Sequence, residues 1–374
     1  MKSLTGPLLR AESFVSILLV KHLDRHDLRR ALATRGWWRL RPVTGPVGLT
    51  ALRAMTGANI VLAVVVLAGH AELAAAAAFG GMTAVHARFE PYPMRARLLT
   101  VIGGGIVLCV ALGSVASAAH WGAVPVVVLV AFVAAAGKLL TDVIRSGPPG
   151  GLIFVFAVAT TSVLPVSCGQ AGAQVLVTAA GALVAWLVAH AGWLFKRAKQ
   201  ESRTAWREGL RAAFHLPSDE LPRAAKVGAG VLIAGLLAHF LGLGHPYWTM
   251  IAAAAVLQST HLQHTVHRTV QRVLGTVAGV VIGGLLLAAD LPTAAKLACI
   301  VIALLCAEFT VVRNYAVAML FVTPLTLLLG SLLNQGTALG AASDRLIDTA
   351  LGAAIGLVAA MVRPGRGYHL APVT

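Results

Sequence analysis

Two arginines four residues apart are the strongest candidates for chemistry in this chain. Arg268 and Arg272 lie in the stretch 245–287, where polar residues are concentrated beside long apolar segments. Residues four apart share one face of a helix, and each guanidinium offers a planar fork that can hold a carboxylate through two hydrogen bonds. We therefore predict a binding site for a small organic anion. The alternative is that both arginines anchor a loop to lipid phosphate at the membrane surface.

Further candidates for substrate contact are aromatic or polar side chains at the ends of apolar segments. They are Tyr247, Trp248, Gln258, His261 and Asn314. His261 is followed by His264 and His267, and a spacing of three spreads the rings over a wide helical face. Because no cysteine or carboxylate accompanies these histidines, we predict neither a metal nor a cofactor. They are then plain loop residues, or residues that contact substrate or respond to pH.

Two acidic residues are predicted to carry protons if transport is coupled to protons. Asp348 and Glu308 lie within or beside apolar segments, where ionisable groups are costly and tend to be functional. Asp348 follows Arg345 by three residues, which predicts an ion pair on one helix. The alternative for both acids is a structural pair that holds helices together.

The composition of the chain indicates a protein that crosses a membrane many times. Of its 374 residues, 58% are hydrophobic and 12% are charged, with a mean hydropathy of +0.81. Soluble domains carry about 25% charged residues. The net charge of +16 would fit a nucleic-acid-binding protein, but the basic residues are spread over many short loops. That distribution argues against nucleic acid as a partner and makes the lipid bilayer the expected surrounding.

A membrane-spanning helix needs about 20 apolar residues, and the chain offers twelve candidates in two sets of six. The first set lies at 52–69, 72–87, 98–118, 122–140, 150–166 and 172–195, and the second at 223–243, 246–260, 273–289, 293–308, 314–333 and 344–362. We predict an all-α polytopic membrane protein with two parallel six-helix repeats. Its regions are a cytoplasmic N-terminal region with an amphipathic helix (1–50), a first membrane half (51–195), a basic linker (196–222), a second membrane half (223–363) and a cytoplasmic tail (364–374).

The placement of positive charge predicts how the chain is oriented. With twelve spans and the N-terminus inside, every lysine and arginine except Lys296 and Arg345 falls on the inner side. Cytoplasmic loops are enriched in these residues, so both termini are predicted to be cytoplasmic. The abundance of alanine, glycine and arginine is typical of a GC-rich bacterial genome, and we expect the inner membrane of a bacterium.

Weak internal similarity supports the two repeats. His70 recurs as His245, and at the same offset of 175 residues Arg97 matches Arg272. The second segment is short in both halves, which is the best sequence indication of a transport site in a protein with internal repeats. The alternative is a tilted span whose small residues only permit close helix packing.

Several short motifs occur together in the second half of the chain. They are Tyr247-Trp248, Gln258, Arg268 with Arg272, Leu274-Gly275-Thr276, Asn314-Tyr315-Ala316, Thr323-Pro324-Leu325, and Arg345 with Asp348 and Gly352. In these motifs the chain resembles the fusaric acid resistance protein-like family, the aromatic acid exporter family. The resemblance covers roughly residues 220–362 well and residues 50–195 more loosely.

The resemblance implies a secondary exporter of small organic, aromatic carboxylates, with Arg268 and Arg272 attracting the anion from the cytoplasm. An anion channel of the same fold is one alternative, since plant malate channels are distant relatives by resemblance. A membrane scaffold subunit that transports nothing is another, and a homo-oligomer is left open. The chain contains no P-loop, zinc motif or nucleophile elbow, so we expect no enzymatic activity.

Overall fold

Helices are the secondary structure of the described part of the chain. A computed structural model describes residues 47–88, 90–195, 220–259, 262–332 and 338–362, and no strand occurs among them. The predicted amphipathic helix near the N-terminus, most of the linker and the C-terminal tail lie outside these residues. The prediction of an all-α polytopic membrane protein is confirmed.

Twelve α-helices follow one another in the described ranges, six before the linker and six after it. The first six are α1 (Val47–Leu67), α2 (Ala74–Gly81), α3 (Tyr92–Ala118), α4 (Ala123–Val143), α5 (Leu152–Val163) and α6 (Cys168–His190). The second six are α7 (Glu220–Phe240), α8 (Pro246–Leu257), α9 (Leu262–Ala288), α10 (Thr293–Val311), α11 (Tyr315–Leu332) and α12 (Ala338–Met361). Each of the twelve predicted spans overlaps one helix.

Seven of the described helices are long and apolar enough to cross a membrane: α3, α4, α6, α7, α9, α10 and α11. Their outward faces carry large apolar side chains. Phe132 on α4, Leu176 on α6 and Phe240 on α7 are each more than two-thirds exposed. Apolar side chains exposed in this way fit hydrocarbon as their surrounding, because isolated soluble domains rarely leave such continuous apolar surface open.

The short second helix of each half is enclosed by other helices. Every residue of α2 is buried, and in α8 all residues except Pro246 and Trp248 are buried. With 12 residues, α8 is about 18 Å long at 1.5 Å per residue, which is less than the thickness of a hydrocarbon core. Surrounding helices therefore take the place of lipid around these two elements.

The two halves repeat one pattern of helix packing. In the first half α1 packs on α2 and α6, α2 on α6, and α3 on α5 and α6. The second half has the same pairs six helices later: α7 packs on α8 and α12, α8 on α12, and α9 on α11 and α12. Between the halves, α1 packs on α10, α7 packs on α4, and α8 packs on α5.

The packing repeat also corrects the predicted match between Arg97 of the first half and Arg272 of the second. Helices α3 and α9 both have 27 residues, and aligning them end to end places Gly105 on Gly275. Both glycines face the fifth helix of their half, at Phe154 and at Ala316. In that alignment Ile102, and not Arg97, corresponds to Arg272, and Arg97 is exposed whereas Arg272 is buried. The offset of 175 residues holds at the second helix and shortens to 170 at the third.

Candidate functional site

A cavity of about 730 Å³ lies where the two halves meet. Its wall includes residues of α1, α2 and α5 from the first half and of α8 to α12 from the second. Most of the lining is apolar, with aromatic rings from Phe79, Phe156, Tyr247 and Trp248. Several cationic side chains interrupt this apolar wall, and they give the cavity its chemical character.

Arg345 is one of the two most deeply buried of these cations, with Arg272. It belongs to α12, is 1% exposed, and its guanidinium lies 3.4 Å from the centre of the Trp248 ring. The ring covers one face of the guanidinium, as cation–π pairs require. Nε, Nη1 and Nη2 of Arg345 are all buried without a hydrogen-bond partner. An anion in the cavity could accept hydrogen bonds from these nitrogens.

Arg272 and Arg268 lie on α9 and share Tyr315 of α11. Arg272 is 1% exposed and donates from Nη1 to the Tyr315 hydroxyl over 2.6 Å, while its Nε and Nη2 have no partner. The Arg268 guanidinium lies 4.4 Å from the centre of the Tyr315 ring. The spacing of four therefore brings both arginines to one aromatic residue, with donors left over on Arg272.

The acidic groups near the cavity have other partners. Glu308 forms an ion pair with Arg88 over 2.7 Å, and Asp344 is hydrogen-bonded to His245 over 2.8 Å. Burial lowers the pKa of Arg88, which lies in the loop after α2, and the carboxylate of Glu308 opposes that shift. In the ranges that the structure covers, no carboxylate forms an ion pair with Arg268, Arg272 or Arg345.

The cavity brings together some of the sequence-predicted residues and leaves others out. Arg268, Arg272, Tyr247, Trp248 and Glu308 line it. Gln258 does not, because its side chain turns back toward the Ala254 carbonyl and packs against Gly150. His261 lies outside the described residues.

Two further predicted residues have structural contacts instead of a place on the cavity wall. The Asn314 side chain accepts hydrogen bonds from the amides of Ala316 and Val317, so it caps the N-terminus of α11. Asp348 is buried and accepts a hydrogen bond from the Thr249 hydroxyl over 2.8 Å. The ion pair expected between Asp348 and Arg345 is absent from the described structure, because the Arg345 side chain lies on Trp248.

Four basic residues that the sequence reasoning left out of the site also line the cavity: Arg88, His245, Lys296 and Arg345. For Arg345 a signal existed, since it lies in the predicted span 344–362 and ionisable groups in such segments tend to be functional. Arg88 had no such signal, because its partner Glu308 is far away in the sequence.

Comparison with known proteins agrees with the membrane architecture and with the motifs. Residues 233–359 match the family model described as fusaric acid resistance protein-like. The "Uncharacterized membrane protein YvaC" of Bacillus subtilis (strain 168) is 37% identical over 155 residues, which are 41% of this chain. The matched part spans about a quarter of that relative, 24% of its length. No solved structure matches the chain. The chain is thus a polytopic membrane protein whose second half, over residues 233–359, is similar to the fusaric acid resistance protein-like family.

Proposed function

We propose that the chain is a secondary transporter that exports small aromatic carboxylates through the cavity between its halves. The observation that carries this proposal is the pair of buried guanidinium groups at the cavity wall, Arg272 and Arg345, which together have five nitrogens without hydrogen-bond partners among the described residues. A buried charge without a partner is costly, and a bound carboxylate would relieve that cost. Rings such as Phe79 and Phe156 offer an apolar surface to the body of the substrate.

The family match supports transport in place of enzymatic activity. The substrate class comes from the resemblance in sequence motifs, and the cationic, aromatic-lined cavity is compatible with it. An inside-negative membrane potential favours export of an anion by about 2.3 kcal/mol per charge per 100 mV. Export therefore needs no proton coupling. If coupling occurs, Asp348 and Glu308 are the candidates, and an anion channel with the same cavity is the rival mechanism.

The cavity favours a transporter over the alternative of a membrane scaffold. A scaffold has no use for cations buried between its halves, whereas a transporter requires polar groups there. We propose a bacterial inner membrane as the location, with both termini cytoplasmic, because the basic residues then lie inside.

Efflux measurements test this proposal. Cells with and without the protein are loaded with labelled aromatic acids, and the wild type is compared with Arg268→Ala/Arg272→Ala at equal membrane abundance. We expect efflux by the wild type and its loss in the double variant. Arg145→Ala is the matched control, because Arg145 is exposed and lies away from the cavity wall.

Two results would contradict the proposal in different ways. Efflux that survives the double substitution would make those arginines structural residues that connect α9 to Tyr315 of α11. No efflux of any acid in the panel would favour a scaffold, or a substrate outside the aromatic class.

A further inference from the structure

The unpartnered donors of the cavity exceed what one carboxylate can accept. An arginine side chain carries five N–H donors, and an ionised carboxylate has two oxygens with about four lone-pair sites. All three nitrogens of Arg345 and two of the three nitrogens of Arg272 are buried without partners. One carboxylate held by one of these forks would leave most donors of the other fork unsatisfied.

The charges of the two buried arginines support the same conclusion. Arg272 and Arg345 line one cavity from neighbouring helices, α9 and α12, and neither forms an ion pair with a described carboxylate. Glu308 is paired with Arg88, and Asp344 with His245. Water can satisfy the hydrogen bonds of two buried guanidinium groups, but it does not neutralise them. Two negative charges would do both.

Asp348 does not supply one of these charges by direct contact. It lies one helical turn after Arg345, but its described partner is the Thr249 hydroxyl, and the Arg345 nitrogens have none. The Arg345 guanidinium is held by the Trp248 ring, which covers its face and leaves its edges available. A planar anion that approaches an edge can be bound through two hydrogen bonds.

We infer that the cavity selects organic anions with two negative charges over those with one. Arg345 binds one acidic oxygen group and Arg272, beside Arg268, binds the other, while the apolar wall contacts the body of the ligand. This inference rests on the proposed function, since it narrows the substrate of the same cavity. Two carboxylates on one ring and a single phosphate ester group share this chemistry, and a binding test distinguishes them.

The test measures equilibrium binding to the purified full-length protein by calorimetry at neutral pH. The ligands are benzoate with one charge, isophthalate with two carboxylates, and phenyl phosphate. We expect at least one of the two dianions to bind about tenfold or more tightly than benzoate, as charge-assisted hydrogen bonds would produce. Preference for isophthalate alone would identify two separate acidic groups, and preference for phenyl phosphate alone would identify one oxygen-rich group.

Variants of Arg345 connect the preference to the proposed site. Arg345→Gln should reduce dianion affinity to nearly that of benzoate and change benzoate affinity by less than about threefold. Arg345→Lys keeps the second charge without the planar fork, so it should retain a weakened preference. It also provides a folded variant if the glutamine substitution disturbs the fold. Arg145→Gln is the control at an exposed arginine and should bind all three ligands like the wild type.

Two outcomes would overturn the inference. If benzoate binds as tightly as both dianions, or if Arg345→Gln weakens the binding of all ligands equally, the cavity does not select dianions over monoanions. The proposal of anion transport would be unaffected by either result. If none of the three ligands binds to the folded wild type, the inference and the proposed function fail together.

Discussion

At the scale of single residues, aromatic rings hold the buried guanidinium groups in place. Arg345 lies on Trp248, and Arg268 lies on Tyr315. A guanidinium is weakly hydrated and planar, so a ring can cover its face while its edges stay available for hydrogen bonds. Lysine, a compact and strongly hydrated ammonium, would not fit these positions in the same way.

Tyr315 contacts two arginines, Arg272 through its hydroxyl and Arg268 through its ring. Two substitutions separate these contacts. Tyr315→Phe removes the hydroxyl that accepts from Arg272 and keeps the ring beneath Arg268. We expect Tyr315→Phe to weaken anion binding by about threefold to tenfold, because Arg272 loses its only described anchor. Tyr315→Leu removes both contacts and should weaken binding further. Calorimetric titration with isophthalate measures both effects, and equal affinity of the two variants would show that the ring contributes nothing.

The ion pair between Arg88 and Glu308 joins the two halves at the cavity wall. Both side chains are less than 10% exposed. Glu308→Gln leaves Arg88 charged and buried, so we expect a loss of about 3–5 kcal/mol in stability. Arg88→Met/Glu308→Leu removes both charges and should cost much less. Thermal unfolding of the purified protein compares the variants, and a double variant less stable than Glu308→Gln would contradict this account.

At the scale of elements, the short helices α2 and α8 depend on small residues. Their enclosure requires neighbouring backbones to come close. A Cβ added to Gly81 on α2 would meet the backbone of Ala58 on α1, and one added to Gly352 on α12 would meet the Thr249 carbonyl on α8. Each half thus packs its short helix through glycine, although the glycine lies on the short helix in one half and on its neighbour in the other.

Glycine positions on α2 and α3 provide a matched test of this packing. Gly81→Val should destabilise the protein by more than about 3 kcal/mol, because the backbone of Ala58 cannot move as a side chain would. Gly104→Ala on α3 has no atom within 4 Å of the new Cβ and should stabilise by up to about 1 kcal/mol. Thermal unfolding and the yield of monodisperse protein report the difference. A Gly81→Val protein as stable as the wild type would refute the close approach.

At the scale of the whole molecule, two similar halves enclose one chemically asymmetric cavity. In the alignment of α3 with α9, Leu98 and Ile102 occupy the positions of Arg268 and Arg272. The first half therefore provides the same architecture with apolar side chains at these places. The repeat supplies the shape of the cavity, and the second half supplies most of its positive charge.

The proposed orientation can be tested with a native cysteine. Cys168 is exposed at the start of α6 and falls on the outer side if both termini are cytoplasmic. A thiol reagent that cannot cross the membrane should label the wild type in intact spheroplasts and fail to label Cys168→Ser at that position. Arg145→Cys in the Cys168→Ser background should react only after permeabilisation. The reverse pattern would invert the orientation.

Much of the fold could be predicted from the sequence, and less of the site. Each of the twelve predicted spans overlaps a helix, because the length of an apolar run is a local property. Four of the predicted substrate contacts, Arg268, Arg272, Tyr247 and Trp248, lie on one cavity for the same reason, since they are close in the chain and belong to adjacent helices. Gln258 lies between them in the chain and Asn314 lies at the start of α11, but both side chains turn to backbone partners.

The sequence by itself determined the membrane class, the helices and the spacing of Arg268 and Arg272. Only the tertiary structure decided that the Arg345 guanidinium packs on the Trp248 ring and forms no ion pair with Asp348 in the described structure. It also decided that Arg88 forms an ion pair with Glu308. The physical reason is that helical periodicity specifies neighbours within one helix. Contacts between helices depend on which faces pack together, and that choice is made by residues throughout both halves.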